Sequence, residues 1–376
     1  MNILKFILDR PTIILLLLLG ITGCQASNPK SDPAAETSRL DTQLVLNNVV
    51  LEQSNQQDNT TWKIKADRVV YSEDKQVAAL TKVVGNLIQN NITILKVSAE
   101  SGKVTDNGNI ILLEDSVVAS DPRNGSVITS EEVEWQPQKN LLLIKQELRG
   151  IQDNLTVSAQ TGRYLTDRER FEIQGDVVAT SSQPALQLNS DRLEWDMPQK
   201  QIVSPGAIEL VQYDQNQIIT DRLVSDRAEL NLAEDRATLN QNIELVSSEP
   251  ALQIATNFLA WNYQDRIGIT DRPIQILVRD RQISLTGNAG EINFPLQIAK
   301  LQNGVKGINQ AKASELYARD LIWKMDIEEV EALGNVIYEQ TDPKARLTGE
   351  KARGTLGDNK IVVTSDGKQQ VTSIIE

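Results

Sequence analysis

The sequence predicts an all-β fold built from repeated units, and three observations lead to this prediction. Short apolar–polar alternations of period two, such as residues 155–159 and 186–190, recur along the chain, and they are typical of strands with one buried face. Gly, Asn, Asp or Pro separates consecutive apolar runs, for example at Gly175 and Gly334, which we interpret as turns. After the N-terminal segment no stretch offers a persuasive apolar period of 3.6 residues, so helices are not expected.

A small residue recurs at the same place in these units, roughly every 31 residues. Self-similarity at a fixed spacing is the signature of a repeat protein, in which each unit buries the faces of its neighbours. The members of this small-residue column are Ala66, Ala99, Ser130, Ala159, Ser190, Ser225, Thr256, Gly287, Ala318 and Gly349. They predict ten units of about 31 residues.

An aliphatic residue stands two places before every member of that column. Side chains two places apart on a strand point to the same face of the sheet, so stacked units align these residues into one apolar stripe. This aliphatic column consists of Ile64, Val97, Ile128, Val157, Leu188, Leu223, Ile254, Leu285, Leu316 and Leu347. An unbroken aliphatic column is not expected by chance in a chain that is 40% hydrophobic.

Alternate units also differ from each other. Half of them carry an aromatic residue five places after the small one: Tyr71, Trp135, Trp195, Trp261 and Trp323. The other units place a small residue three positions on: Gly102, Gly162, Ala228, Gly290 and Ala352. The true period is therefore a pair of units, and we interpret each aromatic residue as a plug that closes an edge or corner of the sheet.

The aliphatic column has two interpretations, a packed core or the lining of an open groove. Packed interiors usually mix large side chains to reach their density, whereas aromatic residues make up only 4% of this chain. A lining of Leu, Ile and Val, with small residues beside it, leaves room for lipid chains. We therefore expect an apolar groove that binds an amphipathic ligand, and a solid core remains the alternative.

Composition excludes several functions. A net charge of −13 argues against a nucleic-acid surface, which needs clustered Lys and Arg. The chain has no histidine, the commonest general base and the commonest nitrogen ligand for metals. Its one cysteine, Cys24, excludes an intrachain disulfide, a cysteine zinc cluster and a Cys–His dyad. We expect a non-enzymatic protein without a cofactor or a metal site.

Two acidic clusters are the remaining candidates for catalysis. Glu131, Glu132 and Glu134 precede one tryptophan, and a second cluster spans residues 328–331. Paired carboxylates serve glycoside hydrolysis, so an enzyme that acts on polysaccharide is an alternative. These glutamates alternate with apolar residues, however, as outward charges on strands do. We expect them to lie on a solvated face.

The N-terminus predicts export and attachment to a membrane. Lys5 and Arg10 lie close to a short apolar run at 13–19, which small residues and Cys24 follow. This order is typical of a secretory signal, and the run is too short for a comfortable membrane span. Residues 21–24, Ile-Thr-Gly-Cys, resemble a bacterial lipobox, whose cysteine is acylated. We predict a lipoprotein signal peptide at 1–24 and a flexible tether at 25–40; an uncleaved signal anchor is the alternative.

The anchor and the repeat together resemble a known family. Residues 62–71, WKIKADRVVY, and the small-residue strands with Gly-x-Val segments that follow resemble the OstA-like β-jellyroll family of the lipopolysaccharide transport (Lpt) system. Within it, the chain looks most like LptC, the periplasmic component attached to the inner-membrane exporter. The resemblance covers about residues 40 to 376.

This resemblance implies two antiparallel sheets in a V, whose apolar interior carries the acyl chains of lipopolysaccharide. The ligand would come from the inner-membrane Lpt ABC transporter complex and pass to a soluble LptA-like bridge protein, which docks by edge-strand pairing. The lining would be the aliphatic column and its neighbours Trp62, Leu95, Leu155, Leu186, Leu252 and Ile283. The implied location is the periplasm, anchored through the N-terminus, with the inner membrane favoured.

Two features depart from the family. Its typical members carry a membrane-spanning helix and are about half as long, whereas this chain resembles a lipoprotein and has ten units. The longest step between small residues, from Ser190 to Ser225, suggests a join. We therefore predict a first jellyroll at 41–220 and a second at 221–376, or one long jellyroll. An envelope scaffold that docks proteins without lipid cargo is the second functional hypothesis.

Overall fold

The computed structural model describes residues 44–55, 59–123, 125–183, 185–356, 361–365 and 372–375. They form antiparallel strands joined by tight turns and two short 3₁₀ turns, Asp106–Gly108 and Pro137–Lys139. The all-β prediction is confirmed. Within these residues no helix is both long and apolar enough to cross a membrane. Cys24 and the segments 1–24 and 25–40 lie outside the described residues.

The strands follow one another along the chain in a single order. They are β1 (Val45–Asn55), β2 (Thr60–Tyr71), β3 (Ala78–Gln89), β4 (Ile92–Thr105), β5 (Ile110–Ser120), β6 (Val127–Gln136), β7 (Leu141–Gln146), β8 (Leu148–Gln152), β9 (Leu155–Ala159), β10 (Thr161–Leu165), β11 (Arg170–Ser182), β12 (Ala185–Asp196), β13 (Gln201–Ser204), β14 (Ile208–Tyr213), β15 (Ile219–Ser225), β16 (Arg227–Asn231), β17 (Arg236–Ser247), β18 (Leu252–Asn262), β19 (Ile267–Thr270), β20 (Ile274–Val278), β21 (Ile283–Gly287), β22 (Ala289–Asn293), β23 (Ile298–Gln302), β24 (Val305–Asn309), β25 (Ser314–Ala318), β26 (Asp320–Lys324), β27 (Glu329–Gln340), β28 (Ala345–Thr355), β29 (Ile361–Thr364) and β30 (Thr372–Ile375).

All these strands belong to one antiparallel hydrogen-bonded sheet. Each time the chain crosses this sheet, the strand is in most cases interrupted at the same level. In β11 the register shifts between Gln174 and Val177, and β17 and β27 shift at the equivalent place. Elsewhere the strand ends there and a new strand begins, as between β9 and β10. The interruptions align into a line that we call the crease, which divides the sheet into two halves.

The two halves face each other across an apolar interior. The first half-sheet contains β8, β9, β14, β15, β20, β21, β24, β25 and β30, and the second contains β7, β10, β13, β16, β19, β22, β23, β26 and β29; the longer strands contribute to both. Trp62 on the first half-sheet packs against Trp135 on the second, with ring centroids 5.3 Å apart. The predicted pair of antiparallel sheets is therefore present as two halves of one continuous sheet.

The small-residue column lies along the crease. Ser190 pairs with Val177 on one side and Ile208 on the other, and Thr256 likewise pairs with Ile243 and Ile274. A small residue thus alternates with a branched one wherever the two half-sheets come together. The column does not leave open space in the interior, because buried Val and Ile side chains of the neighbouring antiparallel strands fill it. Small side chains are needed here since the half-sheets converge.

Hydroxyl groups satisfy the backbone at the crease. Ser225 Oγ donates to the carbonyl oxygens of Arg227 (2.8 Å) and Asn240 (3.2 Å), and Thr256 Oγ1 donates to Pro273 O (3.0 Å). A bulge leaves backbone groups without their ladder partners, and buried groups of this kind need a replacement. Ser and Thr in this column therefore supply hydrogen bonds as well as small volume.

Two glycines interpreted as turns lie inside strands instead. Gly175 (φ 83°) and Gly334 (φ 76°) form the bulges of β11 and β27 at the crease, each followed by a residue that also has positive φ. Glycine reaches this left-handed region without steric cost, and a bulge needs it as much as a turn does. The turn interpretation of the Gly-x-Val segments is therefore wrong, although the strands on both sides of each glycine are correct.

The hydrogen-bonded ladder continues through the predicted join between jellyrolls. Strand β15 spans the boundary at 220/221 and pairs with β14 and β17, and Gln43–Glu376 form one compact unit. The division into 41–220 and 221–376 stays a prediction, as does the count of ten repeats.

Candidate functional site

The aliphatic column lies in one inward-facing row of the first half-sheet. Its members alternate along the hydrogen bonds with residues of the return strands, so that Leu188 pairs with Ala179 and Leu210, and Leu223 pairs with Leu210 and Leu245. Ile64, Val97, Ile254 and Leu285 are fully buried; Ile128, Val157, Leu188, Leu223, Leu316 and Leu347 are half-buried. All ten residues thus share one row, but their exposure differs along it.

The aromatic residues lie in the facing row of the second half-sheet. Trp135, Trp195, Trp261 and Trp323 each stand one residue before the end of a strand and face inward. Their cross-strand neighbours continue the row, since Trp195 pairs with Phe171 and Ile202. The aromatic side chains therefore fill the interior on its side far from the crease.

Both rows become more exposed over the same middle part of the sheet, which we call the window. Its members are Val157, Ala179, Leu188, Leu210, Leu223 and Leu245 on the first half-sheet, and Tyr164, Phe171, Trp195, Ile202, Leu230, Ala237 and Trp261 on the second. On either side of it several members of the rows are closed: Ile64 and Trp135 are 2% exposed, and Ile276 and Trp323 are 1% and 3% exposed. Ile128, Leu316 and Leu347 of the first row are half-buried although they lie outside the window. A contiguous apolar surface that is only half-buried is uncommon unless it binds something.

The two half-sheets are open to each other on the side opposite the crease, which we call the mouth. Contacts cross the mouth on both sides of the window. Toward the C-terminus, Arg281 in a turn of the first half-sheet donates to Glu328 in a turn of the second. Toward the N-terminus, the Gln53 side chain reaches Gly108, where a Cβ would lie 3.8 Å from its Oε1. The sequence analysis missed these residues, because nothing in the local pattern distinguishes them from other turn and rim residues.

A small cavity lies between the half-sheets beyond the window, toward the C-terminus. Its volume is about 110 Å³, and Leu285 and Leu316 of the aliphatic column contribute to its lining together with Leu321 and Tyr338. Two of the predicted residues therefore face a space between the sheets. A volume of this size holds a few water molecules or a short piece of hydrocarbon.

Tyr164 lies at the N-terminal border of the window. Burial, together with the smaller effect of the Glu169 carboxylate, raises the pKa of its phenol to about 12, and the Arg123 guanidinium from the first half-sheet opposes this shift. Arg123 forms an ion pair with Asp121, at 2.5 Å, in the turn between β5 and β6. The two sides of the mouth are therefore close enough here to interact electrostatically.

A pH dependence follows from the raised pKa of Tyr164. An unfolded tyrosine ionises near pH 10, whereas the folded one stays neutral to about pH 12. The contribution of Tyr164 to stability is therefore fully present below about pH 10 and is lost as the pH rises toward 12. Tyr164→Phe should lose less stability than the unmodified chain over this interval in urea unfolding at stepped pH. Equal losses in the two proteins would contradict the burial of this phenol.

Most glutamates of the two acidic clusters form ion pairs on the outer face, whereas Glu328 pairs with Arg281 across the mouth. Lys145 lies 3.0 Å from Glu132 and 2.6 Å from Glu134, and its hydrogen bond lowers the pKa of Glu134. In the second cluster Glu329 pairs with Lys324 at 2.7 Å. Carboxylates in such ion pairs lie at the solvated surface of the sheet and do not converge on a cleft between the half-sheets. Among the described residues no group of three or more acidic, His or Cys side chains is arranged to hold a metal ion.

Comparisons with known proteins identify a family and related solved structures, one of which is that of LptH. The family model described as "Lipopolysaccharide-assembly, LptC-related" matches residues 12–180 and 187–310. A solved structure of LptH, described as the LptA homologous periplasmic component of the lipopolysaccharide transport device from Pseudomonas aeruginosa, is 15% identical and has a TM-score of 0.26; the match covers 30% of this chain and 82% of that one. No curated protein matches the chain by sequence.

Proposed function

The chain belongs to the LptC-related family of lipopolysaccharide-assembly proteins, and we propose that it carries the acyl chains of lipopolysaccharide along the apolar interior between its two half-sheets. The family supports a role in lipopolysaccharide transport in the bacterial envelope. The observation that carries the finer proposal is the window, where apolar rows of both half-sheets are only half-buried and face each other. Acyl chains would cover this apolar surface, and its removal from water would stabilise the complex.

The direction and the partners belong to the same proposal. Cargo would arrive from the inner-membrane Lpt ABC transporter complex and leave toward the outer membrane through a soluble LptA-like bridge protein. Strand β1 supports docking by strand addition: among the described strands only β2 pairs with it, and Val50 on it is 52% exposed. An unpaired, apolar edge is a template for another strand.

We also propose that the N-terminus holds the protein at the inner membrane. Acylation of Cys24 would anchor the chain in the periplasm, and residues 25–40 would act as the tether. The body at 41–376 would then act either as two jellyrolls joined near residue 220 or as one long jellyroll. Mass spectrometry of the N-terminal peptide tests the anchor, since an unmodified Cys24 would exclude it.

Site-specific cross-linking tests the lipid path. A photo-reactive amino acid at Val157, in the window, should capture lipopolysaccharide in living cells, and one at Leu285 tests the interior beyond it. Glu132 is the control, because it lies on the outer face in an ion pair with Lys145. Absence of lipid at every inward position would refute a lipid function.

An envelope scaffold remains a second candidate, and the packed ends of the interior favour it. Trp62 and Trp135 fill the N-terminal part and are 3% and 2% exposed, so this part acts as a solid core in the structure. A scaffold predicts cross-links to envelope proteins at β1 without lipid at Val157. The lipid-transport hypothesis predicts cross-linked lipid at Val157 whether or not β1 cross-links to a protein.

A further inference from the structure

Burial changes twice along the inward row of the first half-sheet beyond the window. Leu245, the last window member of this row, is half-buried, whereas Ile276 of β20 and Leu285 of β21 are 1% and 3% exposed. Farther toward the C-terminus, Leu316 and Leu347 are half-buried again. The interior therefore has a closed segment at β20 and β21, which lies between two less buried segments.

An ion pair joins the two sides of the mouth at this closed segment. Arg281 lies in the turn between β20 and β21, and its guanidinium donates to the Glu328 carboxylate in the turn between β26 and β27. The ion pairs of the outer face join neighbouring strands instead, as Lys145 does with Glu132 and Glu134. The Arg281–Glu328 pair thus connects the half-sheets where their interior is most closed.

The same pair lies beside the cavity between the half-sheets. Ile283 stands two residues after Arg281, Val330 stands two residues after Glu328, and both line the cavity. With a volume of about 110 Å³, the cavity has room for a short piece of hydrocarbon only. A complete acyl chain would need the half-sheets to move apart at the mouth, and the Arg281–Glu328 pair opposes this movement.

The pair is weak enough to open. Both side chains are 40% exposed, and water solvates their separated charges, so that an ion pair of this kind shifts an equilibrium about fivefold at most. Asp280 lies 3.8 Å from Arg281 Nε and stays beside the guanidinium when Glu328 moves away. The pair therefore favours the closed arrangement without fixing it.

We propose that the Arg281–Glu328 pair is a latch on the mouth: when it is closed, it confines the acyl chains of the cargo to the window, and when it is open, it admits an acyl chain to the cavity lined by Leu285 and Leu316. The inference rests on the proposed function and adds control of passage toward the C-terminus. Burial of a few methylene groups against the apolar lining outweighs one exposed ion pair, so the cargo itself opens the latch.

Lipid capture on the two sides of the latch tests its role. The purified full chain carries a photo-reactive amino acid either at Val157, in the window, or at Leu316, beyond the latch, and is equilibrated with radiolabelled lipid A. Glu328→Arg replaces attraction by repulsion and should raise the ratio of capture at Leu316 to capture at Val157 about two- to fivefold. Arg281→Glu together with Glu328→Arg restores a pair with exchanged charges and should return the ratio to that of the unmodified chain.

Asp326→Arg is the matched control, because it makes the same change of charge two residues earlier in the same turn, at an exposed side chain. It should leave the ratio unchanged. An unchanged ratio in Glu328→Arg, or an equal rise in Asp326→Arg or in the charge-exchange variant, would overturn the latch and leave the lipid function intact. Lipid at Val157 but none at Leu316 in every variant would also overturn it. Absence of lipid at both positions in the unmodified chain would overturn the proposed function as well.

Discussion

Trp135→Ala is expected to lower the free energy of unfolding by about 3–5 kcal/mol, the usual cost of removing a large aromatic side chain from a core. The ring is 2% exposed and packs against Trp62 at a centroid distance of 5.3 Å. Its removal opens a cavity between the half-sheets, where the strands on both sides restrict collapse. Denaturant unfolding of the full chain, followed by circular dichroism, measures the loss.

Trp195→Ala is the matched control for this prediction. It truncates the same residue type in the same row, but at a half-buried position in the window. We expect no more than about half the loss seen at Trp135, because less apolar surface leaves water when Trp195 folds. Equal losses at the two positions would show that the window is as closed as the N-terminal interior, and would remove the observation on which the proposed lipid path depends.

Leu188→Glu is expected to reduce the capture of lipopolysaccharide at Val157 more than tenfold. Leu188 faces inward in the middle of the window, between Ala179 and Leu210. A carboxylate there would have to lose its hydration against acyl chains, which costs a few kcal/mol, and each 1.4 kcal/mol corresponds to about tenfold in affinity. Lipid recovered by photo-cross-linking, normalised to protein, measures the effect.

Gln187→Glu provides the control for charge. It adds the same carboxylate one residue earlier in β12, where the side chain points to the opposite face of the sheet. This variant should capture lipid like the unmodified chain. If both variants lose capture equally, the cause is the added charge on the protein and not the interior. If neither loses capture, the acyl chains do not pass Leu188.

The strand pattern was predictable because it is local. Alternation of period two follows from the geometry of the extended backbone, and the aliphatic column follows from that alternation and a constant repeat length. The predicted row therefore agrees with the observed pairing of Leu188 and Leu223 with their neighbours. The outward position of Glu132 and Glu134 was predictable for the same reason.

The bulges were not predictable from the same pattern. Glycine adopts positive φ in turns and in bulges alike, so the residue type at Gly175 does not distinguish the two structures. The strand register distinguishes them, because Val177 after the bulge still pairs with Ser190 of β12. This pairing also turns the small-residue column into the crease, where the sequence analysis had expected open space.

The sequence by itself determined the all-β fold, the inward aliphatic row and the outward charges, since each depends on residues within a few positions of one another. Only the tertiary structure decided where the interior is closed and where it is half-open. That outcome depends on how two half-sheets approach each other, and on contacts such as Arg281 with Glu328 or Trp62 with Trp135, which join residues far apart in the chain. The position of Trp195 in the window belongs to this second class, because its exposure depends on the facing half-sheet and not on its own strand.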